Sequence, residues 1–311
     1  MLLRQLEYLT ALAHERHFAR AAALCNVGQG TLSEGIQRLE SDLGVTIVQR
    51  GHRFAGFTPE GELVVQWAHR ILADRDELHH ELASRRLGLS GVLRIGAIPT
   101  ALPSVSVLTT PFLEHHPLVR ISVASNSSRE IVQQLGDFEI DAGITYVDGE
   151  PLGDVRVLPL YPERYLLLTP AGSDHASRRT IAWADLAGTP LCLLAPEMQN
   201  RRILDRHFAA AGVEVVPRIE TDTVSVLYAH VASRQWSTVI SHAWLHLFGV
   251  PEGMHVVPME DPDRPYHVGL VYADRDPVPM LVQALLDTAR VVDMARELDA
   301  IGTRHVRTFD R

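Results

Sequence analysis

Residues 19–61 read ARAAALCNVGQGTLSEGIQRLESDLGVTIVQRGHRFAGFTPEG. Within this stretch and just before it, leucine and alanine recur at three- and four-residue spacing, which predicts helices that begin near residues 2, 18 and 29. Residues 25–28 separate the last two helices, and Gly28 or its neighbour is expected to take a positive φ at that turn. Leu32, Ile36 and Leu39 would face inward from the third helix. A support helix, a tight turn and a second helix form the layout of a DNA-reading module.

The outward face of the third predicted helix carries short or amide side chains, which suit base edges and phosphates in a major groove. The candidate DNA contacts on the second and third helices are Arg20, Gln29, Thr31, Ser33, Gln37 and Arg38. Three-helix domains that bind no DNA have the same apolar spacing, so the spacing alone leaves that alternative open.

A wing is predicted after the third helix. Residues 45–48 are β-prone, and Arg50, His52 and Arg53 follow in a glycine-containing loop before Phe57. Two short strands joined by this loop would carry the three side chains to flanking phosphates or the minor groove. They complete the set of candidate DNA contacts.

The full set of motifs resembles the LysR-type transcriptional regulators. The resemblance over residues 1–61 is carried by Phe18, Ala21, Ala22, Leu24, Val27, Gln29, Leu32, Ser33, Ile36, Leu39, Glu40, Leu43, Gly44, Arg50, Arg53, Thr58, Pro59, Glu60 and Gly61. The chain departs from the family pattern at Gly30 and Val48, and also at Gly28, where a helix-capping Ser worth about 1 kcal/mol is usual. Glu34 lies where a basic residue is common and would repel a nearby phosphate.

The composition indicates a multidomain protein that does not coat nucleic acid. The 311 residues are enough for two or three domains, and the formal charge is −9. Residues 1–58 hold six Arg against five Asp and Glu, so most of the acidic excess lies downstream. A few well-placed Arg side chains, doubled in a dimer, are compatible with specific DNA binding.

Neither a membrane nor a metal is expected as a partner. No run approaches the roughly 18 apolar residues that span a bilayer, and the N-terminus has no basic segment before an apolar core, so we expect a cytoplasmic protein. The two cysteines, Cys25 and Cys192, are far apart in the chain. This excludes a disulfide framework, and no clustered Cys and His have metal-ligand spacing, so no metal or cofactor is predicted.

A long helix is predicted after Thr58, whose side chain would cap it with Pro59 at the first position. It carries a heptad-like seam for a partner helix, made of Val64, Trp67, Ile71, Leu78 and Leu82. The alternative is a helix that packs on its own domain. In the LysR-type family a linker helix here mediates dimerisation, which implies a DNA-binding domain at 1–59, a linker at 60–90 and an effector-binding domain at 91–311.

Strands alternate with helices over most of the remaining chain, which predicts a mostly parallel α/β sheet. A chain that crosses to a second lobe and later returns builds two lobes with a cleft between them. We expect one lobe at about 91–162 with 267–300 and the other at 163–266, with a final helix over 279–298. Residues 91–96 and 138–144 match the family's effector-binding domain, which is shaped like a periplasmic binding protein.

Candidate effector contacts follow the ends of the predicted strands, because ligands bind at the carboxyl ends of strands. They are Thr100, Ala101, Ser125, Asn126, Ser127, Ser128, Met198, Gln199, Asn200, Thr221 and Thr223. Residues 125–128 would offer an anion the N-terminus of the next helix, and a small organic acid or other anion is the favoured effector. The alternative is that these side chains only cap the following helices.

The resemblance implies a sequence-specific regulator that binds double-stranded DNA as a homodimer or homotetramer and is switched by a small molecule, with RNA polymerase as a further candidate partner. A cytoplasmic small-molecule-binding protein without a role at DNA is the alternative. No Gly-x-Ser-x-Gly, Walker or HExxH motif stands out, so we expect no enzyme and no catalytic residues. Peroxide-sensing members of the family use a pair of cysteines in the second lobe. Only Cys192 falls there, which argues against disulfide sensing within that domain.

Overall fold

The computed structural model describes residues 1–49, 54–260 and 265–307. Its contacts divide the chain into two units, which are Met1–Gly88 with Gly136–Glu139, and Leu89–Leu135 with Ile140–Arg311. In the described part of the chain, no helix combines the length and the apolar character needed to cross a membrane.

The first unit is helical, and its core forms at the apolar positions that the spacing predicted. Its helices are α1 (Leu3–Glu15), α2 (Phe18–Leu24), α3 (Gln29–Leu43) and the long α4 (Pro59–Leu87). Leu32, Ile36 and Leu39 of α3 are buried in this core. A Cβ on Gly35 would lie 2.5 Å from Cδ2 of Tyr8, so the absence of a side chain there lets α3 approach α1.

The turn between α2 and α3 differs from the prediction. The left-handed residue is Asn26, with φ 55°, whereas Gly28 is the N-cap of α3 with φ −70°. Asparagine adopts this conformation more readily than most residues, because its short polar side chain can hydrogen-bond locally. Gly28 makes no side-chain cap, so α3 lacks an interaction that is worth about 1 kcal/mol in other helices.

The wing is shorter than predicted. Among the described residues it consists of one antiparallel bridge between Val48 and Phe57, rather than two strands. The candidate wing contacts Arg50, His52 and Arg53 lie outside the described residues.

The side chain of Glu40 accounts for the short ladder. Its Oε1 accepts hydrogen bonds from the backbone N–H groups of Ile47 (2.7 Å) and Val48 (3.0 Å), which a longer ladder would need. The Thr58 N–H donates to the Ile47 carbonyl at 2.9 Å, and Thr58 Oγ1 accepts from the Gly61 N–H at 2.9 Å to cap α4. The Leu-Glu and Thr-Pro-Glu-Gly motifs therefore join α3, the wing and α4.

The second unit opens with a first lobe built on a five-stranded sheet. Its elements are β1 (Gly91–Ala97), α5 (Val105–His115), β2 (Val119–Ser125), α6 (Ser128–Gly136), β3 (Ala142–Tyr146), β4 (Val155–Pro162) and the late strand β10 (His267–Ala273). The strand order is β2-β1-β3-β10-β4, with β1 parallel to β2 and β3, and β10 antiparallel to its neighbours. The carboxyl ends of β1, β2 and β3 therefore share one edge.

The second lobe holds a second group of strands and helices. They are β5 (Tyr165–Pro170), β6 (Cys192–Leu194), α7 (Gln199–Ala210), β7 (Ile219–Thr221), α8 (Val224–Ala232), β8 (Thr238–Ser241), α9 (Trp244–Phe248) and β9 (Met254–Pro258). β5 lies between β8 and β9, β6 pairs with β7, and a bridge between Leu191 and Ser237 joins the two groups. The predicted α/β class is confirmed, but the expectation of mostly parallel strands is wrong, because β10 pairs antiparallel with β3 and β4, and β5 pairs antiparallel with β8 and β9.

The final helix is interrupted where a single helix over 279–298 was expected. The observed elements are α10 (Met280–Val291) and α11 (Met294–Arg307). Val292 has an extended backbone, and Asp293 Oδ1 accepts from the Arg296 N–H at 3.0 Å. An Asp side chain that bonds the backbone in this way favours a new helix start over continuation.

We predict that Gly61→Ala destabilises the first unit. A Cβ on Gly61 would lie 2.1 Å from the carbonyl oxygen of Ile47, a backbone atom held by the contacts of Thr58 and Glu40. Overpacking of this kind costs roughly 1–3 kcal/mol. Backbone amides of α1 and α3 should therefore exchange with deuterium faster than in the wild type, as measured by mass spectrometry.

The matched control is Gly30→Ala, because nothing lies within 4 Å of a Cβ at Gly30 and alanine favours a helix by about 0.5–1 kcal/mol over glycine. Its exchange should be unchanged or slower. Wild-type exchange in Gly61→Ala would contradict the close approach.

Candidate DNA-binding and effector sites

The face of α3 that carries the candidate DNA contacts is open to solvent. Gln29, Thr31, Gln37 and Arg38 are exposed, and Ser33 is half-buried. The inward positions of the helix are filled by the buried core residues, so the polar residues have no packing role within this unit. The face presents amides, a hydroxyl and a guanidinium, the groups that read base edges and phosphates.

Two acidic residues partly neutralise the positive charges of Arg38 and Arg20. Arg38 lies 4.0 Å from Glu34, and both side chains are more than two-thirds exposed. Arg20 pairs with Glu15 through Nε at 2.9 Å and also donates to the Glu15 carbonyl. Exposed pairs of this kind are worth at most about 1 kcal/mol, so a phosphate can compete for either guanidinium.

The five predicted linker residues divide between two environments on α4. Val64 and Ile71 are partly buried against the core of their own unit. Trp67, Leu78 and Leu82 are more than half exposed. Leu63, which the heptad reading did not include, is exposed to the same degree. The exposed apolar side chains of α4 are therefore Leu63, Trp67, Leu78 and Leu82, among the side chains that the structure describes.

A small pocket of about 10 Å³, room for about one water-sized molecule, lies in the second unit where several strands end. It is lined by Ile98, Pro99, Thr100, Ser127, Ser128, Tyr146, Leu194, Met198, Gln199 and Asn200. The first lobe contributes the residues after β1 and β3 and the start of α6, and the second lobe contributes the end of β6 and the start of α7. The candidate contacts Thr100, Ser127, Ser128, Met198, Gln199 and Asn200 are thus brought together.

The remaining candidate contacts do not line this pocket. Ala101 is fully buried, and Ser125 is exposed at the end of β2. Asn126 donates its backbone N–H to the Ala97 carbonyl. The final pair bond locally, since Thr223 N–H donates to Thr221 Oγ1 at 3.1 Å, but Thr223, the N-cap of α8, makes no side-chain cap hydrogen bond.

Tyr146 is the pocket residue that the sequence did not single out. It ends β3, so the same strand-end rule would have found it had it been applied to that strand. Its hydroxyl donates to Glu163 Oε2 at 2.5 Å and accepts from Asn200 Nδ2 at 2.9 Å. Thr100 Oγ1 lies 3.4 Å from the same oxygen. Tyr146 therefore joins both lobes to a buried carboxyl group.

Glu163 is 1% exposed and lies in the segment where the chain crosses between the lobes. Burial raises the pKa of its carboxyl group, and the hydroxyls of Tyr146, Tyr165 and Ser241 oppose this rise. Burial, followed by the nearby Glu163 carboxyl, raises the pKa of Tyr146 well above its usual value. The phenol therefore keeps its proton and acts as a hydrogen-bond donor.

The start of α6 already holds a carboxylate. Ser127 N–H donates to Glu130 Oε2 at 2.7 Å, and Glu130 N–H donates to Ser127 Oγ at 3.3 Å, which is a capping box. The negative charge occupies the position that an anionic effector would need at this helix terminus.

Two buried polar atoms of the pocket lining have no hydrogen-bond partner among the described residues. They are Ser128 Oγ and Gln199 Oε1. The Gln199 amide is oriented by its nitrogen, which donates to the Asp148 carbonyl at 3.3 Å. Buried polar groups are rarely left unpaired, so these atoms indicate where a small polar ligand would bind.

An ion pair beside the pocket connects the lobes. Arg202 of α7 donates to both carboxylate oxygens of Glu150, at 2.8 and 2.9 Å. Arg206 lies 3.5 Å from the same carboxylate. The hydrogen bonds from Arg202 have the largest effect on the pKa of Glu150, and with Arg206 they hold it below its ordinary value of 4.5. The pair stabilises the present arrangement of the lobes.

Neither cysteine has the environment of a reactive thiol. Cys192 is 0% exposed in β6, and burial raises its pKa to about 11. Cys25 belongs to the first unit, and burial also raises its pKa. A thiolate is the reactive form, so both side chains are poor nucleophiles at neutral pH.

Comparison with known proteins agrees with this architecture. The family described as "Bacterial regulatory helix-turn-helix protein, lysR family" matches residues 3–62, and "LysR substrate binding domain" matches residues 86–292. The DNA-binding transcriptional dual regulator OxyR of Escherichia coli K12 is 30% identical over 93% of this chain and 95% of its own. The hydrogen peroxide-inducible genes activator of Dickeya chrysanthemi is 29% identical over the same shares. A Cys→Asp variant of full-length OxyR from Pseudomonas aeruginosa superposes with a TM-score of 0.76 at 26% identity, covering 95% of this chain and 97% of that one.

Glu150→Gln is expected to lower the stability of the second unit by up to about 1 kcal/mol at neutral pH. The folded pKa of Glu150 is depressed, so its contribution is fully present above pH 4.5 and is lost as the pH falls through the lower folded value. The difference between variant and wild type should therefore shrink towards pH 3. Urea unfolding followed by tryptophan fluorescence measures it.

Glu252→Gln is the control, because Glu252 is 96% exposed and its ion pair with Arg234 is long, at 3.7 Å. It should unfold like the wild type at every pH. A Glu150→Gln deficit that persists unchanged at pH 3 would show that the carboxylate charge is not its cause.

Proposed function

Because the chain belongs to the LysR family of bacterial transcriptional regulators, we propose that it reads operator DNA through α3 and that a small effector in the pocket controls this reading. The observation that carries the proposal is the coexistence of an exposed polar helix face in the first unit with a buried polar pocket at the strand ends of the second. A ligand acts on DNA binding through a difference in its affinity for two states of the protein.

Specific reading is assigned to the amides of α3 and positioning to its guanidinium. Gln29 and Gln37 suit base edges, and Arg38 suits a phosphate once it leaves Glu34. The exposed apolar residues of α4 support self-association as a homodimer or homotetramer, because Trp67, Leu78 and Leu82 would otherwise face water. A dimer would double the small positive charge of residues 1–58 and would present two recognition helices to the DNA.

The pocket supports a small uncharged effector better than the anion that the sequence suggested. Its volume of about 10 Å³ is close to the space that one water molecule needs and far below the range of typical ligand pockets, about 300–1,000 Å³. The Glu130 carboxylate is bonded to the start of α6 and would repel a carboxylate ligand. The Tyr146 proton is held by the buried Glu163 and is not free to bind one. The free acceptor Gln199 Oε1 instead favours a hydrogen-bond donor.

An oxidant is the effector class to test first. Several relatives are named for hydrogen peroxide-inducible genes, and hydrogen peroxide is a small uncharged molecule with two O–H donors. The response proposed here does not use a thiol, because the second unit holds the single buried Cys192, whose pKa is about 11. The effector would act by occupying the pocket.

The setting follows from the proposed role. The protein would act in the cytoplasm, where bacterial DNA is found, with RNA polymerase as a partner at the promoter. It would work by binding rather than by catalysis, and a small-molecule-binding role without DNA is the alternative that a band-shift assay on the chain's own upstream DNA would distinguish.

Gln29→Ala is expected to change the preferred base at one position of the site without changing the salt dependence, since an amide reads base edges and displaces no counterion. Arg38→Ala, the matched comparison, should weaken binding on all sequences and lower the salt slope by about 1. Selection from randomised duplexes and anisotropy titrations in a salt series measure both effects. An unaltered site and affinity in Gln29→Ala would mean that α3 does not read DNA with this face.

The double variant Cys25→Ser/Cys192→Ser is expected to retain any wild-type response of DNA affinity to hydrogen peroxide, because neither thiol is reactive in this fold. Anisotropy titrations with and without peroxide compare the two proteins. A response that the double variant loses would establish thiol sensing instead, and a wild type that does not respond would remove peroxide from the candidate effectors.

A further inference from the structure

The hydrogen bonds around Tyr146 all run in one direction. The Tyr146 O–H donates to Glu163, so it is not available to the pocket. Asn200 Nδ2 donates to the Tyr146 oxygen, and the long contact from Thr100 Oγ1 can only be a donation, because the phenol proton is already used. Donors of the pocket wall thus point towards the buried carboxylate, and their oxygen lone pairs are left for a ligand.

We propose that Glu163 determines the charge of the effector without touching it, by holding the Tyr146 proton so that the pocket selects small uncharged hydrogen-bond donors and rejects carboxylates. This inference rests on the proposed function, in which the pocket binds the effector. It assigns Glu163 and Tyr146 a positioning role in ligand specificity.

The distance and the surroundings make Glu163 the acceptor in this contact. The Tyr146 hydroxyl and Glu163 Oε2 are 2.5 Å apart, which is a short hydrogen bond. Tyr146 and Glu163 are each 1% exposed, so water does not compete for this bond. Burial raises the pKa of the Glu163 carboxyl group, and the hydroxyls of Tyr146, Tyr165 and Ser241 oppose this rise.

Most of the remaining lining is also poor in free donors. Gln199 uses its nitrogen on the Asp148 carbonyl and leaves Oε1 without a partner in the described chain. The Ser127 N–H is bonded to Glu130 and is not free for an anion. Ser128 Oγ, which also has no partner among the described residues, can donate or accept. An uncharged donor satisfies Gln199 Oε1, whereas a carboxylate would face that lone pair and the Glu130 carboxylate.

The test is a thermal-shift titration of the full chain with acetamide and with sodium acetate, at matched ionic strength and pH 7.5. The two probes share size and shape and differ in charge and in the N–H donors. Apparent affinities follow from the shift in melting temperature with probe concentration. The wild type should bind acetamide at least about ten-fold more tightly than acetate, as expected for one hydrogen bond to a charged group.

Glu163→Leu and Tyr146→Phe should each reduce this preference about ten-fold, because the first removes the acceptor of the Tyr146 proton and the second removes the donor that Glu163 holds. Tyr161→Phe is the matched control. Tyr161 is also buried, but its hydroxyl contacts Ser104 at 3.1 Å and not the pocket. It should keep the wild-type ratio even if its melting temperature falls.

Three results would overturn the proposal. They are wild-type binding of acetate as tight as that of acetamide, no binding of acetamide at all, and an unchanged ratio in both Glu163→Leu and Tyr146→Phe. A wild type with the expected ratio whose DNA affinity ignores acetamide and every other pocket ligand would instead refute the proposed function and leave the charge selection standing.

Discussion

The chain crosses between its two lobes twice, and a hydrogen bond from the Glu163 N–H to the Tyr266 carbonyl, 2.7 Å long, joins the two crossings. The side chain of Glu163 extends from this point to Tyr146, at the end of β3. One residue therefore contributes its backbone to the connection between the lobes and its carboxyl group to the pocket. The remaining pocket residues are arranged around this connection, because each follows the end of a strand or starts a helix at the same edge.

This arrangement offers a physical route from ligand to lobe geometry. Tyr146 is hydrogen-bonded to Asn200 of α7 in the second lobe. Arg202, also on α7, forms a bidentate ion pair with Glu150 of the first lobe. A molecule that bonds Gln199 or Asn200 would act on the start of α7. The ion pair lies less than two turns further along that helix, so movement of α7 changes both contacts together.

In the DNA-binding unit, a comparable set of contacts connects α3 to α4. Glu40 of α3 holds the backbone of Ile47 and Val48, and Gly61 packs on the Ile47 carbonyl at the start of α4. The position of α4 is thereby coupled to α3, the helix that carries the candidate base contacts. The exposed side chains Trp67 and Leu78 lie on the same α4, so pairing through that helix and presentation of α3 share one rigid connection within the unit.

The sequence alone determined the order of elements, the family and the core of the first unit, since these depend on local periodicity and on short motifs that specify caps and close approaches. Leu32, Ile36 and Leu39 at helical spacing were sufficient to orient α3. Apolar spacing was insufficient wherever a polar side chain competes for the backbone. Glu40 took the N–H groups that a longer wing needed, and Asp293 ended a helix whose apolar spacing continued.

Only the tertiary structure decided which strand-end residues meet and what charge they favour. Thr100 and Asn200 lie on different lobes, and their common partner Tyr146 becomes relevant only when β1, β3 and α7 are brought together. The sequence suggested an anion site at 125–128 from the start of a helix. Ser127 and Glu130 form a capping box that local spacing could have indicated, whereas the burial of Glu163 behind Tyr146 joins two strands' ends and cannot be read from local spacing.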